Sequence, residues 1–287
     1  MDAASLRLWD CGRVRFDLTD RVLVMGVLNV TPDSFSDGGL FFQRDKAVAR
    51  ALEMFDQGAD IIDIGGESTR PGSQGVDAEE EMRRVLPAIE DLRRRSEAPI
   101  SIDTSKAAVA RGALERGADI VNDVTALRAD AAMTEAVAAS RCGVVAMHIK
   151  GTPRDMQRSP HYDDVVAEVR EFYCERLAAL EKAGIAPERV LLDPGIGFGK
   201  TVEHNLALIA NLPSLERGLR PQLLGVSRKS FIGKVLGLDA HERLEGTAAA
   251  VAVCVWNGAA CVRVHDVREM RRVADMTLAL KKAAKEN

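Results

Sequence analysis

The chain has 287 residues, 46% of them hydrophobic and 29% charged, a balance that excludes a disordered, collagen-like or disulfide-scaffolded protein. Lys plus Arg number 39 against 43 Asp plus Glu, a formal net charge of −4, so there is no overall basic field for nucleic acid. Any anion must instead be gripped by a local cluster of cations. The longest strictly apolar run, Ala248–Trp256, falls well short of the roughly 18 residues a membrane span needs. The N-terminal stretch lacks the apolar core of a signal peptide. The five cysteines are odd in number and no two are spaced C-x-x-C, which predicts reduced thiols in a cytoplasmic protein.

In chain order, residues 1–21 read as an N-terminal extension, expected as a hairpin that plugs the bottom of the fold. Eight short apolar runs then alternate with amphipathic stretches over residues 22–287. The runs are Val22–Val30, Asp60–Gly65, Pro99–Thr104, Asp119–Val124, Gly143–Ile149, Val190–Pro194, Gln222–Ser227 and Ala259–His265. They are apolar nearly throughout, the pattern of parallel strands buried on both faces. The predicted helices are Lys46–Gln57, Ala78–Arg95, Ala107–Arg116, Ala131–Arg141, Asp164–Ala183, Val202–Asn211, His241–Trp256 and Val267–Lys285. The charge runs Glu79–Glu81 and Arg93–Arg95 read as solvated faces. Eight β units each followed by an α unit, without a linker, predict one α/β domain, a single (β/α)8 TIM barrel; an open doubly wound sheet is the alternative. Gly58, Gly117 and Gly258 open an internal echo (GADIIDI, GADIVND, GAACVRV), each Gly placed to end a helix.

Polar residues stand where apolar strands end: Asn29, Asp63, Asp103, Asn122, His148, Asp193, Ser227, Arg263 and His265. A single one reads as a satisfied internal hydrogen bond or a cap, whereas nine on one rim read as a ligand site. The connections 31–45, 66–77, 150–163 and 228–240 are long, and the returns are short, which makes this rim the working face. The first two long loops are rich in Gly and Ser and suit lids. GIGFGKT (Gly195–Thr201) has Pro194 where a phosphate-binding P-loop needs Gly, so its glycines read instead as room for a flat ligand or a lid. Arg263, His265, Lys229 and Asn29 suit an oxyanion such as phosphate accompanied by Mg2+. Asp103, Asn122 and Asp193 suit a neutral heterocycle presenting several N–H donors. A catalytic carboxylate pair and a metal cage stand as rival readings of that acidic group.

GVLNVTPDSFSDGG (Gly26–Gly39) and DIGGESTRPG (Asp63–Gly72) resemble the two signature segments of dihydropteroate synthases. SIDTSK, VNDV, LLDPGIGFGK, SRKSFIG and RVHDV resemble that family's remaining blocks, in order, from Ser101 to Val267. The resemblance implies a transferase of folate biosynthesis, in which 4-aminobenzoate displaces diphosphate from (7,8-dihydropterin-6-yl)methyl diphosphate to give 7,8-dihydropteroate. It implies Asn29 as the Mg2+ ligand, and Thr69, Arg263 and His265 as diphosphate contacts. Asp103, Asn122, Asp193 and Lys229 are implied as the pterin pocket, supported by Asp63 and Met147. Phe35, Arg70, Pro71 and Ser230 are implied at the 4-aminobenzoate site, where sulfonamides are expected to compete. Asp103, Lys229, Arg263 and His265 are the expected catalytic set. A pterin-dependent methyltransferase and a non-catalytic pterin-binding paralogue are the alternatives. The helix Thr247–Trp256 is apolar on every side, from which a homodimer is expected; burial under the final helix is the other explanation.

Overall fold

The computed structural model describes residues 7–30, 40–68, 75–152 and 155–284. The chain enters through a two-stranded antiparallel hairpin, β1 (Leu8–Asp10) and β2 (Arg15–Asp17). It continues through β3 (Leu23–Asn29), α1 (Leu40–Asp56), β4 (Ile61–Gly65), α2 (Ala78–Arg95), β5 (Ile100–Asp103) and α3 (Ala107–Glu115). Next come β6 (Ile120–Asp123), α4 (Met133–Ala138), β7 (Gly143–Met147), α5 (Val165–Lys182), β8 (Val190–Asp193) and α6 (Val202–Ala210). The last elements are α7 (Leu212–Glu216), β9 (Leu223–Leu224), α8 (Ser230–Leu236), α9 (Leu244–Trp256), β10 (Cys261–Val264) and α10 (Val267–Ala283). Strands β3 to β10 pair in parallel in the order β8-β7-β6-β5-β4-β3-β10-β9. A parallel bridge between Leu192 and Gln222 joins the two ends, so the sheet is a (β/α)8 barrel rather than an open sheet.

The period of two along each strand separates two environments. Ile62, Ile64, Ile100, Ile102, Val121, Val144, Leu192 and Val262 face outward and pack under the helices. The other parity faces the barrel axis. Its lower layer is Leu23, Met25, Ile61, Ile120, Val145, Leu191, Leu223 and Cys261, and hairpin residues Trp9, Phe16 and Leu18 seal it from below. Trp9 Nε1 donates to the Arg189 carbonyl at 2.9 Å, fixing the hairpin to the barrel.

The Gly-Ala echo has a structural counterpart. Gly58, Gly117 and Gly258 have φ of +100°, +96° and +108°. The N–H of the following Ala closes the preceding helix onto Met54, Ala113 and Cys254 respectively, the Schellman arrangement. In the first two repeats the next residue is an Asp that caps the strand beside it. Asp60 Oδ2 accepts the Val24 N–H at 2.8 Å, and Asp119 Oδ2 accepts the Ile100 N–H at 2.9 Å. Each Asp also holds two arginines, Arg21 and Arg271 for Asp60, Arg13 and Arg93 for Asp119.

Four expectations need correcting. Helix α1 begins at Leu40, six positions before the predicted start. Helix α4 is shorter than Ala131–Arg141 at both ends, because Asp130 and Thr125 turn the chain before it and the Ser140 hydroxyl after it. Connection 228–240 holds helix α8, closed by Gly237 at φ +71°. The charge runs of α2 are not wholly solvated: Glu81 is buried against Lys106, and Arg93 bonds the carbonyls of Gly117, Ser96 and Ala98 as well as Asp119.

Candidate active site

The axis-facing parity that is apolar at the bottom becomes polar at the C-terminal ends of the strands. Asn29, Gly65, Asp103 and Asn122 are in register across β3, β4, β5 and β6. Gly65 brings no side chain to that row. A Cβ there would stand in ordinary contact, 3.8 Å from Asn29 Oδ1 and 3.7 Å from Asp103 Oδ2, so the glycine lies between these two oxygens.

Arg263 on β10 reaches past β3 to β4 and β5 and ties the row together. Its Nε donates to Asp63 Oδ2 at 2.6 Å and its Nη2 to Asp103 Oδ2 at 2.7 Å. Asp63 Oδ2 also accepts Asn122 Nδ2 at 3.0 Å. This leaves Nη1 of the guanidinium and the amide oxygen of Asn122 available to a ligand. Burial pushes Asp103 up to about 7, with Asp63 adding to the rise and Arg263 opposing it. Arg263 is raised above its usual value by Asp63 and Asp103, against the effect of its burial.

On the other side of the barrel, Met147 and Asp193 are in register on β7 and β8. Asp193 Oδ1 accepts the Gly195 N–H at 2.7 Å, and burial pushes the carboxyl up to about 6. Lys229 Nζ stands 4.0 Å from the Phe198 ring centroid, a cation–π contact, and burial lowers it to about 8. Met147 and Phe198 belong to a small apolar cluster with Val124, Ile149 and Met156. A flat apolar surface thus meets a carboxylate, an amide and an ammonium. That combination recognises a planar heterocycle with a hydrogen-bonding edge.

The glycines of GIGFG do not all serve a ligand. A Cβ on Gly195 or Gly199 would collide with the carbonyl of His148 or Lys150, so these two let the loop lie against the backbone after β7. Gly197 faces Lys229. His148, expected on the rim, instead turns away from the axis against Phe172 of α5 and Tyr162; Lys200 Nζ meets its Nδ1 at 3.0 Å, and burial lowers the imidazole to about 2, so it stays neutral.

Ser227 Oγ accepts the backbone N–H of His265 at 3.2 Å and lies 3.0 Å from His265 Nδ1. With the serine hydroxyl donating to Nδ1, the neutral imidazole carries its proton on Nε2. Burial and the nearby Arg263 lower His265 to about 4. Ser230 is exposed at the start of α8. Phe35, Thr69, Arg70 and Pro71 lie outside the described residues, as do most of the first predicted lid and the centre of the second.

Sequence reasoning misses Phe198, Lys200 and Lys106. Lys106 pairs with Glu67, at the base of the second long loop, and with buried Glu81. The aromatic ring between two glycines was the available signal for Phe198. Lys106 stands openly in SIDTSK, yet its partners are 39 and 25 positions away.

For a metal, the described residues contain no group of three or more His, Cys, Asp or Glu side chains placed to hold one. Mg2+ does not require such a cage. It keeps several waters and takes one or two protein oxygens together with substrate phosphates. The amide oxygen of Asn29, beside Gly65, fits that mode.

A model of pterin binding enzymes matches residues 25–265, which span β3 to the rim histidine. A dihydropteroate synthase of Escherichia coli (strain K12) is 48% identical over 261 residues, covering 90% of this chain and 92% of that one. The chain belongs to the dihydropteroate synthase family. Among solved structures, Xanthomonas albilineans dihydropteroate synthase with 4-aminobenzoic acid superposes with a TM-score of 0.87 at 46% identity, covering 97% of this chain and 98% of that one. Burkholderia cenocepacia dihydropteroate synthase complexed with 7,8-dihydropteroate gives 0.87 at 43% identity and covers 98% of both chains. Membership in this pterin-binding transferase family accords with the apolar floor and hydrogen-bonding rim described above.

Proposed function

We propose that this chain condenses (7,8-dihydropterin-6-yl)methyl diphosphate with 4-aminobenzoate, releasing diphosphate and 7,8-dihydropteroate. The observation that carries the reading is the rim itself: Arg263 binds Asp63 and Asp103, while Asp193, Asn122 and Lys229 surround the floor made by Met147 and Phe198. The pterin lies on that floor. Asp193 accepts two N–H bonds from its amino-pyrimidinone edge, and Asn122 and Lys229 fix its orientation. The amine lone pair of 4-aminobenzoate attacks the exocyclic methylene carbon. The carbon–oxygen bond breaks with its electron pair going to diphosphate, and the amine proton leaves to solvent. Asp103 stabilises positive charge growing on the pterin side. Arg263 Nη1 and His265 Nε2 donate to the departing diphosphate, with Thr69 as a further contact. Phe35, Arg70, Pro71 and Ser230 complete the 4-aminobenzoate site, where sulfonamides compete.

Asn29 would hold Mg2+, which supplies charge neutralisation of the diphosphate when bound. No strong general base is required, because an aromatic amine carries a free lone pair near neutral pH.

The functional unit is a homodimer in this reading. Val253 and Trp256 on α9 are each 47% exposed, and Met276 and Leu280 on the adjoining α10 are more than half exposed. A second copy covers that face. The cytoplasm suits the five free thiols, four of them buried.

The test is a coupled assay of diphosphate release. It should require 4-aminobenzoate, the pterin diphosphate and Mg2+ together. Release without 4-aminobenzoate, or methyl transfer from methyltetrahydrofolate to a corrinoid, would replace this reading. Pterin binding without turnover would make the chain a binding paralogue.

A further inference from the structure

Between Ser227 and Lys229 stands Arg228, a non-glycine residue with a left-handed backbone at φ +57°. A side chain disfavours that region, and such a residue persists when its surroundings over-determine it. Three contacts do so here. The Arg228 N–H donates to Thr247 Oγ1 at 3.0 Å. The Arg228 carbonyl accepts from Arg243 Nη1 at 3.1 Å. The guanidinium pairs with Asp266, its Nε standing 3.0 Å from Oδ2. Arg243 and Thr247 stand at the start of α9, outside the rim, and Asp266 directly follows His265.

The turn at Arg228 decides where Lys229 goes. Ser227 on one side is bonded to His265, and Lys229 on the other lies over Phe198. With Ser227 anchored, a different φ at Arg228 would redirect Lys229 and all of α8. Thr247 is fully buried, and its hydroxyl accepts a bond from outside its own helix. Helix α8 leaves room for the second tether, since a Cβ on Gly233 would lie 2.3 Å from Arg243 Nη2.

We propose that Thr247 is a positioning residue for Lys229: by holding the Arg228 N–H it keeps the turn left-handed and aims the ammonium into the pterin pocket. The inference rests on the reading of Lys229 as a pterin contact. It gives the otherwise apolar helix α9 two faces, one carrying Val253 and Trp256, the other tied to the site.

The test compares Thr247→Val, Thr247→Ser, Lys229→Ala and the double variant Thr247→Val/Lys229→Ala, in the full chain with Mg2+. Thr277→Val, which removes a buried hydroxyl bonded within α10, is the control for stability. Losing the acceptor should raise KM for the pterin diphosphate about tenfold and change kcat by less than about threefold. Thr247→Ser and Thr277→Val should stay within about twofold of the parent. The double variant should be no worse than Lys229→Ala alone, because Thr247 acts through Lys229. Thr247→Ala carries the same expectations if the valine variant does not fold. A parental KM in the Thr247 variants, or an effect that adds to that of Lys229→Ala, overturns the proposal. An unchanged pterin KM in Lys229→Ala itself overturns the functional reading and this inference with it.

Discussion

Arg263 and Asp103, separated by 160 positions in the chain, meet at the rim through an Nη2–Oδ2 hydrogen bond of 2.7 Å. The same guanidinium donates to Asp63, so one cation balances two carboxylates carried by the neighbouring strands β4 and β5. Arg263 is therefore the centre of a network before any diphosphate arrives. A lysine has no fork to span both acids. Arg263→Lys should lower kcat/KM by at least about a hundredfold, and Arg263→Met should cost about 3–5 kcal/mol in urea unfolding by leaving both carboxylates unpaired. An Arg263→Met chain as stable as the parent would show that the acids do not depend on it.

Asp193→Asn should weaken pterin binding by about 2–4 kcal/mol and leave 4-aminobenzoate binding nearly intact. Oδ1 is already engaged by the Gly195 N–H at 2.7 Å. The amide must keep its oxygen there and turn its NH2 toward the donors of the pterin edge. Calorimetry that finds pterin affinity within threefold of the parent, about 0.6 kcal/mol, would remove Asp193 as the anchor.

The pH profile is set by three groups at the rim: Asp103, pushed up to about 7, joins Asp193 in shaping the acid limb, and Lys229 shapes the alkaline one. Asp193, pushed up to about 6, loses its charge as pH falls through that value, and with it one acceptor for the pterin. Lys229, pushed down to about 8, loses its charge as pH rises through that value. Then kcat/KM for the pterin diphosphate should be bell-shaped, with its plateau between those limbs. His265, lowered to about 4, is neutral throughout and contributes no limb. In Lys229→Met the alkaline limb should disappear; its survival would assign it to another group.

The bottom of the barrel should behave differently. Asp119 accepts bonds from Arg13, Arg93 and the Ile100 N–H, far from the rim. Asp119→Ala should cost about 3–5 kcal/mol of stability by stranding partly buried arginines, with KM values unchanged. A shift in KM without loss of stability would contradict this division between the two ends.

A dimer is expected from the half-exposed Val253 and Trp256. Light scattering at micromolar concentration should give twice the 31.1 kDa chain mass, and Trp256→Glu should halve it. A parent chain that scatters as a monomer would end the idea.

The features legible in the sequence are those written by local rules. The alternation of inward and outward residues is a property of the strand, so Asn29, Asp63, Asp103, Asn122, Asp193 and Arg263 can be placed on one rim from strand ends alone. The Gly58, Gly117 and Gly258 echo is equally local, because a left-handed helix end is written in two or three residues. Partnerships are not local. Glu81 reads as one of three surface acids until α3 brings Lys106 against it. Arg263 reads as a free cation for phosphate until the barrel closes and two acids claim it. Helix α8 was hidden for another reason: seven residues are too few for a periodic signal, though Gly237 marks its end.

The most direct test is to incubate the parent chain with the pterin diphosphate, 4-aminobenzoate and Mg2+ and to quantify both products by mass spectrometry. 7,8-Dihydropteroate and diphosphate should appear in equal amounts, and neither product should form with Arg263→Lys above about one hundredth of the parental rate. Diphosphate appearing without dihydropteroate, or dihydropteroate forming at the parental rate in Arg263→Lys, would contradict the assigned reaction and the role of Arg263 in it.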